Sequence, residues 1–444
     1  MSVVTREYFE ALADAVCAEA RAGERSSVLL KAEASDFIRF NRAAVRQATQ
    51  VQQAHATVAL TQGLRRAEGR VALSGQREAD LALLRTELAS LRALLPELSD
   101  DPWLLLPEAP VRSERHDRGA LPTAAQVVGT VTEAARGLDF VGFHASGPMV
   151  RAFADSLGTR HWHHVESFHT DWCLYHAADK AVKTSYAGAK WSDGSFAARV
   201  AQSAQQLTLL ARTPKVLQPG AYRAWLAPAA MAELLGTLGW GGFGLKARRT
   251  GTSSLMRLAH RDAVLSPQFH LFEHTAMGSA PGFTAEGFAR PAKVSLVERG
   301  LATGTLNSPR SAREYGAEAN GASPWEMPES LSLLPGTIRD AEAMKALGTG
   351  LWVSNLWYLN YSDRQVCRMT GMTRFACLWV EDGEPVAPLG VMRFDDSFLR
   401  MFGEGLVGLG DRAEFIPENG TYEERHLGSL STPGALVDGW RLTL

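Results

Sequence analysis

The stretch Ser27–Val51, SVLLKAEASDFIRFNRAAVRQATQV, decides the fold of the first half of this chain. It holds three short runs, Ser27–Lys31, Asp36–Asn41 and Arg46–Val51, in which polar and apolar residues mix. Such runs are typical of antiparallel strands with one buried face and one wet face. The sequence therefore predicts an antiparallel sheet close to the N-terminus.

Helices are predicted on both sides of these strands. Before them, apolar residues recur at i, i+3 and i+4 spacing, and Glu7 and Glu10 fall in the first turn, where the helix dipole favours acids. After them, a helix is predicted over about Arg77–Leu95, with one stripe of leucines at positions 81, 84, 88, 91 and 95. The stripe is too short for a coiled coil, so we expect this helix to pack on the sheet.

The rest of the chain is mostly strand and turn. The polar, proline-bounded segment Pro107–Pro122 is predicted to be a loop, and Ala124–Arg136 a helix. Strands are predicted at Asp139–His144, Met149–Ser156, His161–His176, Leu255–Leu265, Ala292–Glu298, Leu351–Asn360 and Arg374–Val380. This order favours an α+β fold. We place an N-terminal domain of helices and antiparallel sheet at residues 1–218 and a β-rich C-terminal domain at residues 219–444.

The amino-acid composition argues against nucleic acid and anionic membranes as partners and indicates the redox environment. The 46 Lys and Arg residues nearly balance the 48 Asp and Glu residues, a formal charge of −2, so there is no basic excess for nucleic acid or an anionic membrane. Four cysteines in 444 residues are too few for a disulfide framework, which favours a reducing compartment.

Two segments bear on location. The N-terminus, MSVVTREYFEALADAV, lacks the basic and apolar regions of a secretory signal. Ala224–Leu245 carries a single charge, Glu233, but it is rich in alanine and glycine, so a buried helix with a glycine-rich turn is favoured over a membrane span. A soluble, cytoplasmic protein is expected.

The histidines between positions 161 and 176 are the first candidates for chemistry. On a strand, His161 and His163 share one face with His169, Asp171 and Cys173, while large apolar residues occupy the other face. At about 3.3 Å per residue, His161 and His169 would stand about 26 Å apart, so only His161 and His163 could share one metal ion. We favour a polar strand face or an interface over a metal site.

Other motifs give no catalytic or cofactor-binding residue. Glu273 precedes His274, the reverse of the order in a zinc-binding helix, and a hydrogen-bonded structural pair is favoured. Cys367 and Cys377 have no base nearby in sequence and are expected to be buried and inert. The patterns HExxH, paired CxxC, GxxxxGK[ST] and GxSxG are absent from the sequence.

Four stretches in the last 180 residues do form a recognisable set. They are FTAEG at 283–287 with VERG at 297–300, NSPRSAR at 307–313 with ANG at 319–321, GLWVSNLWY at 350–358, and TGMTR at 370–374 with VEDGEPV at 380–386 and RFDDS at 393–397. Together they resemble the TldD/PmbA family, in particular its TldE (PmbA) branch. The N-terminal layout of helix, strands and long helix is compatible with that family.

The resemblance implies a zinc peptidase fold with a changed metal site. In the catalytic TldD branch, a helix carries HExxxH and a C-terminal cysteine completes the zinc ligands. We align Gly239 with the glycine that precedes the second histidine in the form HExxGH of this motif. The first histidine then corresponds to Leu235, the glutamate to Gly236 and the second histidine to Trp240. No cysteine follows Cys377. We therefore expect no zinc in this chain, zinc in a TldD-like partner, and a buried Trp240 that fills the space of the lost histidine.

Three functional hypotheses follow. The first is a non-catalytic, TldE-like subunit that pairs with a TldD-like subunit to cut small unfolded or modified peptides. The second is a self-sufficient metal-dependent hydrolase that uses His161 and His163, or the Glu273 and His274 region. The third is a homo-oligomeric peptide-binding module. We favour the first, because three ligands and the general base are missing together.

Overall fold

The computed structural model describes residues 4–177 and 180–443. It is 23% helix and 41% strand, and its C-terminal half is rich in strand. Helices and strands form separate layers, which confirms the predicted α+β class.

The described part of the N-terminal half contains four helices and seven strands. They are α1 (Arg6–Cys17), β1 (Glu24–Asn41), β2 (Ala44–Gln62), β3 (Arg65–Ala72), α2 (Arg77–Leu94), β4 (Arg112–Asp117), α3 (Ala124–Ala134), β5 (Asp139–Asp155), β6 (Arg160–Ala177), β7 (Lys180–Gly188) and α4 (Asp193–Leu210). A short 3-10 helix, Leu95–Glu97, extends α2.

The predicted N-terminal sheet is present, with longer strands than predicted. β1 joins the first two predicted runs, and β2 contains the third. The two strands form an antiparallel hairpin, and its turn residues Arg42 and Ala43 have positive φ angles of 51° and 57°. The sheet has the order β3-β2-β1-β5-β6-β4, and β7 pairs with β6.

One face of this sheet is covered by all four helices. Val28 and Leu30 of β1 pack in a core with α1 and α2, and Ile38 and Phe40, further along the same strand face, pack in a core with α3 and α4. Residues two apart on a strand point to the same side. The opposite face of β1 carries Glu33 and Ser35, which are buried and polar. That polar face is turned toward the C-terminal half.

Several predicted boundaries are wrong. Pro107–Pro122 is not simply a loop, because β4 lies within it and pairs in parallel with β6. Leu255–Leu265 is not a strand: it holds a short helix at Met256–Ala259 and turns, since its apolar residues are not spaced at alternate positions. The two strands predicted between residues 139 and 156 are the single strand β5.

The described part of the C-terminal half adds six helices and fifteen strands. They are β8 (Gly220–Leu226), α5 (Pro228–Leu238), α6 (Leu245–Arg249), α7 (Met256–Ala259), β9 (Leu271–Glu273), β10 (Val294–Glu298), β11 (Leu301–Ala302), α8 (Pro309–Tyr315), β12 (Ser330–Leu333), α9 (Ala343–Leu347), β13 (Gly350–Val353), β14 (Asn355–Asp363), β15 (Arg368–Arg374), β16 (Leu378–Glu381), β17 (Glu384–Pro388), β18 (Arg393–Ser397), α10 (Phe398–Met401), β19 (Leu406–Leu409), β20 (Glu414–Pro417), β21 (Ser429–Thr432) and β22 (Ala435–Leu442). A second 3-10 helix, Asp340–Glu342, precedes α9.

These strands form two sheets that share one core. The six-stranded sheet has the order β11-β10-β9-β12-β21-β20, and the nine-stranded sheet has the order β14-β15-β18-β22-β8-β13-β16-β17, with β19 on β22. Helix α5 contacts strands of both sheets. β20 lies at one end of the six-stranded sheet, so one of its edges is not paired with another strand of the described chain.

The segment Ala224–Leu245 contains the predicted buried helix and glycine-rich turn. Pro228 occupies the first turn of α5, where its missing N–H costs no hydrogen bond. Met231, Leu234, Leu235 and Leu238 are buried at helical spacing. Across residues 4–177 and 180–443, no helix has the length and apolar character needed to cross a membrane.

The segment 418–427, between β20 and β21, ties the C-terminal half to the polar face of the N-terminal sheet. Arg425 is buried and donates hydrogen bonds to the Gly147 and Ser167 carbonyls, each 3.0 Å long. Glu424 forms ion pairs with Lys31 (2.9 Å) and Arg151 (3.1 Å). Buried polar groups of this segment therefore link the two halves.

Candidate functional site

A cavity of about 470 Å³ opens between α5 and the six-stranded sheet. We name it the Gly236 chamber, after the glycine on its helical wall. Its lining comes from four separate stretches of chain: Ala232, Glu233, Leu235, Gly236, Thr237, Gly239, Trp240, Met327, Pro328, Leu331, Ile416, Pro417, Glu418, Gly428, Ser429 and Leu430.

The floor of the chamber is an apolar row across three strands. Ile416 of β20 lies opposite Leu430 of β21, and Leu430 lies opposite Leu331 of β12. Directly opposed residues share a face of the sheet, so these three side chains point together toward α5. The floor is thus continuous, and it reaches the edge strand β20.

The chamber is open because α5 has small residues on the facing side. A β-carbon built on Gly236 would have no heavy atom of the rest of the protein within 4 Å. Ala232, four residues earlier, lies on the same side of the helix. A β-carbon at position 236 would therefore project into the cavity without a clash.

The positions aligned with the zinc ligands lie at this chamber. Leu235 is fully buried in the core, Gly236 faces the open space, and Trp240 follows the C-terminal end of α5. Leucine and glycine side chains offer no metal ligand, and the indole nitrogen of tryptophan is a donor only. Within the described chain, no group of three or more His, Cys, Asp or Glu side chains could hold a metal ion. These residues do not fit a zinc ion.

The prediction that Trp240 is buried is wrong. The residue is 46% exposed, because α5 ends at Leu238 and Trp240 stands in the turn that follows. Its carbonyl accepts a hydrogen bond from Arg364, which fixes the backbone of the turn. The indole therefore forms part of the chamber wall and does not fill the space of a histidine.

A cleft of about 360 Å³ continues from the chamber toward the N-terminal half. β7 lines one side of this cleft and β20 the other, and each is at the edge of its sheet. The Glu418 N–H donates a hydrogen bond to the Gly428 carbonyl across to β21. In an antiparallel pair, the backbone N–H and C=O groups of successive residues point alternately toward and away from the partner strand. The backbone groups of Phe415, three residues earlier, therefore point away from β21, toward the open edge. Two strands that lie at sheet edges thus border the same cleft.

Charged side chains line the cleft. Arg199 pairs with Glu414 at 3.5 Å, and Asn419 donates to Asp171 at 3.1 Å. Burial raises the pKa of the Asp171 and Glu414 carboxyls, and these neighbours partly oppose the shift. Motif searches missed these residues, although the alternation of β6 had placed Asp171 on the polar strand face.

His161 and His163 lie at the contact between the two halves. His161 has partners at both ring nitrogens, the Ser113 hydroxyl at 2.6 Å and the Gly287 carbonyl at 3.1 Å. His163 donates from Nε2 to the Ser279 carbonyl at 3.0 Å, and burial lowers its pKa to about 4. Both rings are engaged in holding loops of the C-terminal half, as expected for an interface.

The other candidates are also structural. Glu273 Oε1 accepts hydrogen bonds from the backbone N–H groups of Glu329 and Ser330, so its carboxyl is anchored to β12 and not to His274. Cys367 and Cys377 are buried free thiols, and burial raises the pKa of Cys367 to about 12. Thiols with raised pKa values are poor nucleophiles and poor metal ligands.

Glu273 gives the first testable prediction. Burial raises its pKa to about 7, above the usual 4.5, so the folded state holds a proton that the unfolded state releases between these values. Its contribution to stability is therefore full below about pH 4.5 and is lost as the pH rises through about 7, an effect of up to about 3 kcal/mol. The Glu273→Gln variant, which stays neutral, should not show this loss. Urea unfolding of both proteins at pH 5 and pH 8 measures it, and an equal pH dependence would contradict the assignment.

Comparison with known proteins places this fold in a class of metallopeptidase-related proteins. The family model described as the PmbA/TldA metallopeptidase C-terminal domain matches residues 219–443, about half of the chain. The chain belongs to the PmbA/TldD family. The matched region begins directly after the predicted division at position 218, which itself stays a prediction.

Solved structures share the fold over the whole chain. TldE from Thermococcus kodakarensis has a TM-score of 0.81 at 12% identity, covering 98% of this chain and 100% of that one. A putative modulator of a DNA gyrase from Thermotoga maritima has a TM-score of 0.78 at 14% identity, with 98% and 100% coverage. Another, from Bacteroides thetaiotaomicron, has a TM-score of 0.74 at 12% identity, with 99% and 98% coverage. No curated protein matches the chain. The fold is therefore TldE-like.

Proposed function

We propose that this chain is the non-catalytic subunit of a heterodimeric, cytoplasmic zinc metallopeptidase that cuts small unfolded or modified peptides. A TldD-like partner supplies the zinc ion and the general base. The observation that carries the proposal is the Gly236 chamber: it lies at the helix aligned with HExxxH, yet residues 235, 236 and 240 provide no metal ligand.

The cleft next to the chamber supports a role in holding an extended peptide. An added strand gains main-chain hydrogen bonds at an open sheet edge without depending on its side chains. Residues of β7 and β20 line the cleft, and the backbone groups of Phe415 point away from β21, toward the open edge of β20. Pro417 has no N–H, so the addition at β20 is limited to a short stretch. A peptide in this position would extend the sheet beside β20, with alternate side chains on the face that forms the floor of the chamber.

The chain's own contribution to hydrolysis is thus binding and orientation. An extended substrate loses much of its conformational entropy on binding. A subunit that holds the peptide in one orientation removes this entropy loss from the step that the partner catalyses. The polar residues of the cleft, Arg199 with Glu414 and Asp171 with Asn419, orient the peptide without acting on it.

Co-expression with a TldD-like protein that carries an intact HExxxH tests the proposal. We expect the two chains to co-purify, the pair to cleave an unfolded peptide, and this chain alone to be inactive. Metal analysis of the isolated chain should give far less than one zinc ion per chain. Stoichiometric zinc with hydrolysis by this chain alone would establish the self-sufficient hydrolase instead. A stable homodimer that binds peptide and ignores the partner would establish the peptide-binding module.

A further inference from the structure

We propose that the Gly236 chamber binds a cationic side chain, lysine or arginine, of an extended peptide. The inference rests on the proposed function, because it names the residue class that the subunit selects. It concerns this chain alone and requires no chemistry from a partner.

The charges of the lining have a single sign. Among the residues that line the chamber, only Glu233 and Glu418 have acidic or basic side chains, and both are acids. Arg199 and Lys183, the basic residues of the adjoining cleft, do not line the chamber. An incoming cation therefore meets no repulsive group inside the cavity.

Glu233 is the stronger of the two recognition groups. It lies three residues before Gly236 on α5, so both are on one side of the helix. In the described part of the chain, its carboxylate takes part in no hydrogen bond and no ion pair. Burial raises its pKa, although Lys183 opposes the shift. The residue is exposed, so a cation from solvent can reach this unpartnered carboxylate and form a charge-assisted hydrogen bond with it.

Glu418 stands at the other side of the chamber, directly after β20. Its side chain is half exposed, and its carboxylate lies 3.4 Å from the His426 ring. A peptide that runs along β20 passes this carboxylate as it enters the cavity. The two acids thus mark the entrance and the helical wall.

The remaining walls suit a long apolar stem with a charged end. The floor of Ile416, Leu430 and Leu331 offers a continuous apolar surface, and lysine and arginine bury their methylene stems on such surfaces. The exposed ring of Trp240 adds a surface for a cation–π contact. A neutral apolar side chain would fill the floor but leave Glu233 without a partner. A glutamate would place like charges together.

Calorimetric titration of the full chain with three acetylated, amidated peptides, Thr-Val-Thr-X-Thr-Val-Thr with X lysine, norleucine or glutamate, tests the inference. We expect the lysine peptide to bind about tenfold more tightly than the norleucine peptide, and the glutamate peptide more weakly still. In the E233Q/E418Q variant, the lysine and norleucine peptides should bind equally. Replacement of the exposed Glu108 by glutamine is the matched control and should leave the preference intact.

Equal binding of lysine and norleucine peptides to the unmodified chain would overturn the inference, as would a lysine preference that survives in a folded E233Q/E418Q variant. Circular dichroism checks that the variant is folded. These results can be distinguished from a failure of the proposed function. Cleavage of the norleucine peptide by the pair, without lysine preference, rejects only the cationic subsite. Lysine-selective binding by a chain that never supports cleavage rejects only the peptidase role.

Discussion

Replacement of Arg425 by alanine is expected to lower the free energy of unfolding by about 3 kcal/mol, the cost of several lost charge-assisted hydrogen bonds in a buried site. Arg425 is 3% exposed, and it donates to the Gly147 carbonyl and to both oxygens of Ser167, each at 3.0 Å. Alanine leaves these acceptors without a donor and opens a void. Burial lowers the pKa of Arg425 to about 10, because the charged guanidinium is removed from water in the folded state. This desolvation offsets part of the stability that the hydrogen bonds of Arg425 contribute.

Urea unfolding at pH 7 measures the effect. Arg412, which is exposed, lies thirteen residues before Arg425 and has no ion pair in the described chain, provides the matched control. Its replacement by alanine should change the unfolding free energy by less than about 0.5 kcal/mol. An Arg425→Ala protein as stable as the Arg412→Ala protein would show that the segment 418–427 does not hold the two halves together.

The elements that could be predicted from the sequence depend on local patterns. The leucine stripe of α2 and the apolar spacing of α1 predict both helices, because each helix buries one face on a sheet. The alternation on β6 predicts that Trp162 and Trp172 face the core, and both are buried. Leu255–Leu265 shows the limit of this approach, since isolated leucines are buried there in a short helix and turns that have no clear period.

The candidate site depends on contacts that no local pattern contains. Its walls come from residues 232–240, 327–331, 416–418 and 428–430, and only the first of these stretches lies on an element that the resemblance singled out. Trp240 illustrates the difficulty: the alignment gives its position in the chain, but the end of α5 at Leu238 decides that the indole is exposed. Arg425 belongs to no recognisable sequence motif, because its hydrogen-bond acceptors, the carbonyls of Gly147 and Ser167, lie far from it in the sequence.

Replacement of Gly236 by leucine is expected to reduce peptide binding, and cleavage by the pair, by about two orders of magnitude, since a filled subsite loses its apolar and ionic contacts together. The protein itself should not be destabilised. Gly236 lies within α5, where glycine is less favourable than alanine or leucine by roughly 0.5–1 kcal/mol, and a β-carbon there meets no heavy atom within 4 Å. The leucine side chain would instead cover the apolar floor of the chamber.

The opposite signs of these two effects make the variant informative. A substitution that damages the fold lowers stability and binding together, whereas Gly236→Leu should raise the melting temperature while it removes binding. Gly236→Ala is the matched control: it gives the same gain in helix propensity, but a single methyl group leaves most of the roughly 470 Å³ open, so binding should stay within a few-fold. Thermal unfolding and calorimetric titration of the three proteins test this. Unchanged peptide binding by Gly236→Leu would place the peptide elsewhere, because a chamber that holds the substrate cannot also hold the leucine.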